Sequence, residues 1–211
     1  MMLKLMALVA VFLTGCAAPQ FAATVSVRHN LASSPAAQRF AFERNASQVQ
    51  SLAQRDFEED VSAELMRKGY VYEPNMSAAD WLVRLQYQVD GGKTVTSQEP
   101  IWGTVGFSTY YRRVSTANGV VLVPYTRTES GVVGSRPVSD TVYSRQLTLD
   151  ILDRKDLAAG RFAKLFEGKA VNRSSDDAIE PAVPWLIRAL FEQFPGVSGS
   201  SREVKIILPE Q

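Results

Sequence analysis

The fold is decided by the stretch Asp80-Trp-Leu-Val-Arg-Leu-Gln-Tyr-Gln-Val-Asp90, the clearest strand pattern in the 211-residue chain. Apolar or aromatic side chains occupy every second position, namely Trp81, Val83, Leu85, Tyr87 and Val89, and most of the positions between them are Arg or Gln. This period of two predicts a strand with one face in a core and the other in solvent, which is typical of antiparallel sheets. Gly91-Gly92 is expected to end it.

Two segments with helical periodicity lie on either side of this strand in the sequence. The first, from about Ser47 to Lys68, has an apolar stripe formed by Val49, Leu52, Ala53, Phe57, Val61 and Leu65. Asp56 and Glu59 fit an internal capping box, so the acidic residues here are interpreted as cap partners and not as catalytic carboxylates. The second helix is expected from about Glu180 to Phe194. We therefore predict an α+β fold, with an antiparallel sheet and two amphipathic helices packed on one face.

The central segment, residues 91–141, differs in composition from the rest of the chain. Its 51 residues include seven glycines and fourteen serines or threonines. A structureless loop of this length is uncommon inside a compact domain. We predict two or three strands, near Thr104–Val114, Val120–Arg127 and around Val132, with turns at Asn118-Gly119 and Ser130-Gly131.

The first residues have the features of a secreted, lipid-modified precursor. The apolar run of nine residues after Lys4 is too short for a transmembrane helix, which needs about twenty, and fits a signal peptide over residues 1–15. The sequence Leu13-Thr-Gly-Cys16 resembles the bacterial lipobox, which implies cleavage before Cys16 and attachment to its thiol of a diacylglyceryl group that carries palmitate-type chains. Residues 16–23 would then form a lipidated tether. By the same resemblance, Ala17 in place of an aspartate implies the outer membrane.

Composition excludes several classes of function. The net charge is +1, whereas nucleic-acid-binding proteins usually carry a basic footprint, so no nucleic-acid partner is expected. One cysteine and one histidine, His29, rule out internal disulfides, zinc sites with two thiolates and sites that need two histidines. Phosphate-loop, dinucleotide-binding and nucleophile-elbow motifs are also missing from the sequence. We therefore predict no catalytic residues, no metal site and no cofactor.

One segment has the residue types of a binding surface. Aromatic rings stack on flat or apolar groups and guanidinium groups bind anions, so their combination suits a glycan, a lipid head group or a peptide. The candidate surface consists of Phe107, Tyr110, Tyr111, Arg112, Arg113, Tyr125 and Arg127. The same residues could instead stabilise a sheet as cross-strand pairs and bind nothing, and that alternative is favoured on base rates.

Several motifs together resemble the domain-of-unknown-function 4136 family of bacterial lipoproteins. They are the lipobox at Cys16, Phe57-Glu-Glu-Asp-Val61 leading to Lys68-Gly-Tyr70, Ala79-Asp-Trp-Leu-Val83, and Ala189-Leu-Phe-Glu-Gln-Phe-Pro-Gly196. The resemblance covers most of the mature chain and is weakest over residues 91–140. It implies an envelope lipoprotein without an established activity, and it supplies no catalytic residues.

Together these observations predict a signal peptide, a tether and a single α+β domain over residues 24–211. We expect a non-enzymatic protein of the cell envelope, anchored by lipid in the outer membrane and facing the periplasm. Its role would be that of a binding or assembly module, and its partner an envelope protein, a glycan or a lipid. Two alternatives remain open, a periplasmic hydrolase with an unrecognised site and a carrier of lipid or another small ligand.

Replacing Cys16 by serine should abolish lipid attachment, because Cys16 is the only thiol in the chain. The wild-type protein should incorporate a fatty-acid probe, and Cys16→Ser should lose the label completely. Mass spectrometry of the mature N-terminus in the native host provides the decisive measurement. An unmodified wild-type N-terminus beyond residue 16 would contradict the prediction.

Overall fold

A computed structural model describes residues 18–31, 37–117 and 119–209. The predicted signal peptide and Cys16 lie outside these residues, and the first strand begins at Gln20, inside the segment assigned to the tether. The strands are β1 (Gln20–His29), β2 (Arg39–Phe42), β3 (Val71–Tyr72), β4 (Trp81–Val89), β5 (Lys93–Thr116), β6 (Gly119–Asp153), β7 (Lys164–Ser174) and β8 (Ser201–Ile207). The helices are α1 (Leu52–Arg67), α2 (Arg154–Ala158) and α3 (Val183–Phe191), the last preceded by a 3₁₀ turn at Glu180–Ala182.

The chain divides into two compact units. The first comprises the residues up to Val89, Arg145–Arg173 and the residues from Ala178 onward. The second comprises Asp90–Ser144 and Ser174–Asp177, and so contains the Gly, Ser and Thr-rich segment singled out in the sequence.

The sheet of the first unit has the strand order β3-β2-β4-β6-β7-β1-β8. Strand β2 runs parallel to both β3 and β4, while β4 pairs antiparallel with β6, and β1 with β7 and β8. The predicted fold class, an α+β protein with an antiparallel sheet and two helices on one face, is therefore wrong. The sheet is mixed, strands predominate, and the helices are few and short. The reason is that α1 lies between β2 and β4 in the chain, and a helical crossover returns the polypeptide parallel to the strand it left.

Strand β4 supplies the centre of the core, as its alternation predicts. Val83 and Leu85 are buried, and Trp81 and Tyr87 pack against the same cluster. This cluster also holds the predicted helix residues Phe57, Val61, Leu65, Ile187, Leu190 and Phe191. The opposite face of β4 is not fully solvated, because Leu82 is buried in a smaller cluster with Ala41, Ala79 and Leu157.

Helix α1 begins at a different cap from the predicted one. Ser51 is the N-cap residue, and its hydroxyl accepts a hydrogen bond from the backbone N–H of Gln54 at 3.1 Å. The capping box at Asp56 and Glu59 is wrong, because both residues lie inside the helix. Glu58 is buried, and Arg44 donates to both of its carboxylate oxygens, Nε to Oε1 at 3.0 Å and Nη2 to Oε2 at 2.6 Å, so that this carboxylate links the loop after β2 to α1.

Substituting a core leucine of β6 should destabilise the protein strongly. The side chain of Leu149 is fully buried, so Leu149→Ala should lower the free energy of unfolding by about 2–5 kcal/mol. Leu52→Ala is the matched control, because Leu52 is 69% exposed and its loss should cost no more than about 0.5 kcal/mol. Urea unfolding of both variants provides the measurement, and equal losses would contradict the assigned core.

A carboxylate at the start of β4 should make stability depend on pH. The backbone N–H of Arg39 donates to Asp80 Oδ2 at 3.0 Å, and Arg39 Nε approaches the same oxygen at 3.4 Å. These bonds, the backbone one foremost, hold the pKa of Asp80 below its ordinary value. The stabilisation is therefore present above the unfolded-state pKa of about 3.9 and is lost as the pH falls through the lower folded-state value.

Asp80→Asn keeps a side-chain acceptor and removes the charge. At pH 7 it should reduce the free energy of unfolding by about 0.5–1 kcal/mol, because the site is partly exposed. The gap between wild type and variant should narrow as the pH falls below about 3.9, as followed by urea titrations at several pH values. Asp140→Asn, on an exposed strand of the second unit, serves as the control. A gap that persists unchanged in acid would refute the assignment.

Candidate interaction surface

The second unit is built around a long two-stranded hairpin. Strand β5 pairs antiparallel with the first part of β6, from Lys93 opposite Val142 to Thr116 opposite Gly119. The predicted turn falls partly on Asn118, outside the described residues, and Gly119 has the positive φ of 121° that suits a glycine at a turn. The predicted turn at Ser130-Gly131 is wrong, because β6 continues through both residues.

Two β-bulges interrupt the ladder near its middle. The register shifts leave Val133 as the extra residue of β6 and Val105 as the extra residue of β5. Between them Gly103 pairs with Gly131. A Cβ atom on Gly103 would lie 2.9 Å from Val133 Cγ2, and one on Gly131 would lie 2.9 Å from Val105 Cγ1. The two valines thus cover the space left by the paired glycines.

Strand alternation sorts the hairpin side chains onto two chemically different faces. One, here called the threonine face, carries Thr94, Thr96, Thr104, Thr109, Thr126, Thr128 and Thr141, together with Trp102, Phe107, Tyr111, Leu122 and Val132. Its one charged residue is Arg113. The opposite one, here called the charged face, carries Lys93, Glu99, Arg112, Arg127, Glu129, Arg136 and Asp140.

Polar contacts stabilise both faces and the base of the hairpin. On the charged face Arg136 Nη2 lies 2.7 Å from Glu99 Oε2, and the Ser108 hydroxyl donates to Glu129. On the threonine face the hydroxyl oxygens of Thr96 and Ser139 are 3.1 Å apart.

The base of the hairpin is held by Asp90. Its Oδ1 accepts the backbone N–H of Ser144 at 2.8 Å and that of Gly92 at 3.1 Å. The bond from Ser144 is the main reason why the pKa of Asp90 lies below its ordinary value. A charged acceptor therefore fixes the two strands at the point where the hairpin starts.

The candidate binding residues do not form one surface. Phe107, Tyr111 and Arg113 lie on the threonine face, whereas Tyr110, Tyr125, Arg112 and Arg127 lie on the charged face. Tyr110 and Tyr125 are direct cross-strand partners, with ring centroids 5.6 Å apart. Their role in binding stays a prediction.

Sequence reasoning missed Trp102, which is 69% exposed beside the other threonine-face aromatics. If side chains alternated regularly from Tyr111, residues 109, 107, 105 and 103 would share its face. Trp102 would then be assigned to the opposite face, which is wrong. The bulge at Val105 changes the phase of the alternation, and its signal in the sequence is the pair of glycines with valines nearby.

Elsewhere the described part of the chain offers few groups suited to chemistry. His29 Nε2 lies 3.1 Å from the backbone oxygen of Gly196, and its ring stacks on Phe166. An open depression of about 500 Å³ in the first unit is lined by residues of β1, β7 and β8, among them Lys169, Arg173 and Glu203. Among the described residues, no three His, Cys, Asp or Glu side chains are grouped to hold a metal ion.

The helices of the described ranges also fail the requirements for crossing a bilayer. None of them combines the necessary length with the necessary apolar character.

Two solved structures resemble the chain at low identity. A PDZ domain protein from Parabacteroides distasonis matches with a TM-score of 0.47 and 16% identity, over 89% of this chain and 39% of that one. The chain thus spans well under half the length of that protein. The PelC dodecamer from Paraburkholderia phytofirmans matches with a TM-score of 0.37 and 11% identity, over 78% of this chain and 91% of that one.

Comparison with curated proteins finds no match. The model of one protein family, described as a domain of unknown function (DUF4136), matches residues 25–196. That range contains all of the quoted family motifs except the lipobox. The chain is therefore a member of the DUF4136 family.

Proposed function

We propose that this protein is a lipid-anchored component of the cell envelope that acts as a non-catalytic binding or assembly module. The observation that carries the proposal is the exposed hairpin of β5 and β6. The lipobox suggests that lipid on Cys16 is the anchor. Ala17 suggests that the protein is held in the outer membrane, where it would face the periplasm. Lipid on Cys16 would hold the module at the membrane, since two or more acyl chains give stable anchoring.

The exposure of the hairpin supports a binding role. A two-stranded ribbon is marginally stable in water unless something packs on it, yet this one extends for 24 residues of β5. Large apolar side chains along it are exposed, with Trp102 at 69%, Phe107 at 72% and Tyr111 at 67%. Large exposed apolar side chains that share one face in this way favour an interaction site.

The first unit has the features of a scaffold for the hairpin. Its core is formed by buried residues of the sheet and of helices α1 and α3, so it is suited to support the hairpin. The ion pairs Arg84–Glu43 and Lys164–Asp150, for example, join strands to their neighbours at 2.8 and 3.0 Å. In this proposal the first unit is the scaffold and the second unit makes the contact.

Photo-crosslinking in living cells tests the proposal. A photoreactive amino acid at Phe107 or Tyr111 should give discrete membrane-bound adducts, because both positions are exposed on the threonine face of the hairpin. The same probe at Leu52, an exposed position of α1, is the control and should give little adduct. If the hairpin positions give no more adduct than Leu52, the proposed role of the hairpin fails.

A further inference from the structure

The threonine face of the hairpin is left exposed to solvent. Every side chain on it is exposed, including its aromatic residues. Burying it would desolvate a single charged group, Arg113, whereas burying the charged face would desolvate seven. The threonine face is therefore the side suited to close packing against another protein surface.

The size of this face matches a stable protein interface. A strand of 24 residues spans about 80 Å, and two paired strands are about 10 Å wide. One face therefore covers about 800 Å², so that two such faces in contact would bury about 1,600 Å², the usual size of a specific interface. Two faces that overlapped over about two thirds of their length would still bury more than the 1,000 Å² expected of a specific contact.

The edges of the ribbon are less suited to association than its face. Pro100 interrupts β5, and Pro124 and Pro137 interrupt β6. The pairs Pro100–Ser135 and Gln98–Pro137 are two steps apart along the ladder. Because hydrogen-bonded and non-hydrogen-bonded pairs alternate in an antiparallel ladder, both belong to the same class. Proline fits the non-hydrogen-bonded class, in which the backbone N–H and C=O groups point away from the partner strand. Each outer edge then lacks a hydrogen-bond donor at its prolines, which hinders the addition of a further strand.

A second copy of the chain offers a surface that complements this face when the two ribbons run antiparallel. The face has eleven cross-strand pairs, and Thr104–Ser130 is the middle one. A two-fold axis at that pair places Trp102 opposite the Phe107 position of the other copy. It also places Arg113 opposite the position of Thr96, whose hydroxyl and that of Ser139 can accept hydrogen bonds from the guanidinium.

A parallel arrangement of the two copies is less favourable. It would place Arg113 opposite the apolar Leu122 position of the other copy, and the two guanidinium groups would lie close together. An arginine buried against leucine lacks acceptors, and like charges repel. The single charge of the face thus selects the antiparallel orientation.

We propose that the threonine faces of two copies pack face to face, antiparallel, about a two-fold axis at Thr104. This inference rests on the proposed binding role of the hairpin and names its partner as a second copy of the same chain. The charged faces and the strand edges remain in water in this dimer.

Disulfide formation in the cell envelope tests the orientation, because the periplasm is oxidising and Cys16 is the only native cysteine. The full chain carrying Thr104→Cys should form a disulfide dimer, since Thr104 meets its own copy at the axis. Thr94→Cys should form none alone, and should form a mixed disulfide when coexpressed with Ser115→Cys. Arg127→Cys, on the charged face, is the matched control and should stay reduced.

A second set of variants tests the face itself in the Thr104→Cys background. Serine at Trp102, Phe107 and Tyr111 should reduce the disulfide dimer at least tenfold. Serine at Ile101, Tyr110 and Tyr125, on the charged face, should leave its yield unchanged. Circular dichroism and the melting temperature of each purified variant establish that it is folded.

Four outcomes would overturn the dimer, and the first three concern its association and its orientation. The first is an equal yield of disulfide dimer from Thr94→Cys and Thr104→Cys. The second is a wild-type protein that stays monomeric at 100-fold its own concentration in the envelope. The third is binding of the monomer to phospholipid vesicles through Trp102. Photo-adducts at Tyr111 that contain a different polypeptide would also overturn it while leaving the proposed function standing. Adducts at no hairpin position would instead remove the proposed function.

Discussion

The first unit depends on the ladder between β4 and the end of β6. Nine residues of β4 pair in register with Arg145–Asp153, and the alternating residues Leu147, Leu149 and Ile151 are fully buried beneath them. Helices α1 and α3 complete this core with their apolar stripes. Because a shift of one residue would turn every one of these side chains to the other face of the sheet, this register determines which residues form the core.

Much of this core could be predicted from sequence. The alternation in residues 81–89 and the stripe of Phe57, Val61 and Leu65 indicate their elements because local periodicity is a direct result of burial. The parallel placement of β2 was not predicted. Its four residues, Arg39–Phe42, alternate too briefly to indicate their direction, and the direction is set by the helix that follows and not by the strand itself.

The hairpin shows a different limit of sequence reasoning. Part of each strand could be located, Thr104–Val114 within β5 and Val120–Arg127 within β6, because Asn-Gly between alternating residues is a strong hairpin signal. Regular alternation along β5 would put the residues before Val105 on the wrong faces, because one extra residue there changes the phase. The candidate surface was drawn as one patch of neighbouring aromatic and arginine residues, whereas the ladder separates Tyr110 from Tyr111 by the full thickness of the ribbon. Residues that are adjacent in a strand point their side chains to opposite faces of the sheet.

The bulges at Val105 and Val133 also determine where the ribbon can change length in evolution. Deleting Val105 would restore regular alternation, since Thr104 and Gly106 already point to opposite faces, and no residue would change sides. Deleting a residue nearer the turn would reverse the facing of its neighbours and bring charged groups onto the threonine face. Deletions of one residue should therefore be tolerated at these two positions and be rare elsewhere along the ribbon. The bulges are in this sense the length-adjusting points of the second unit.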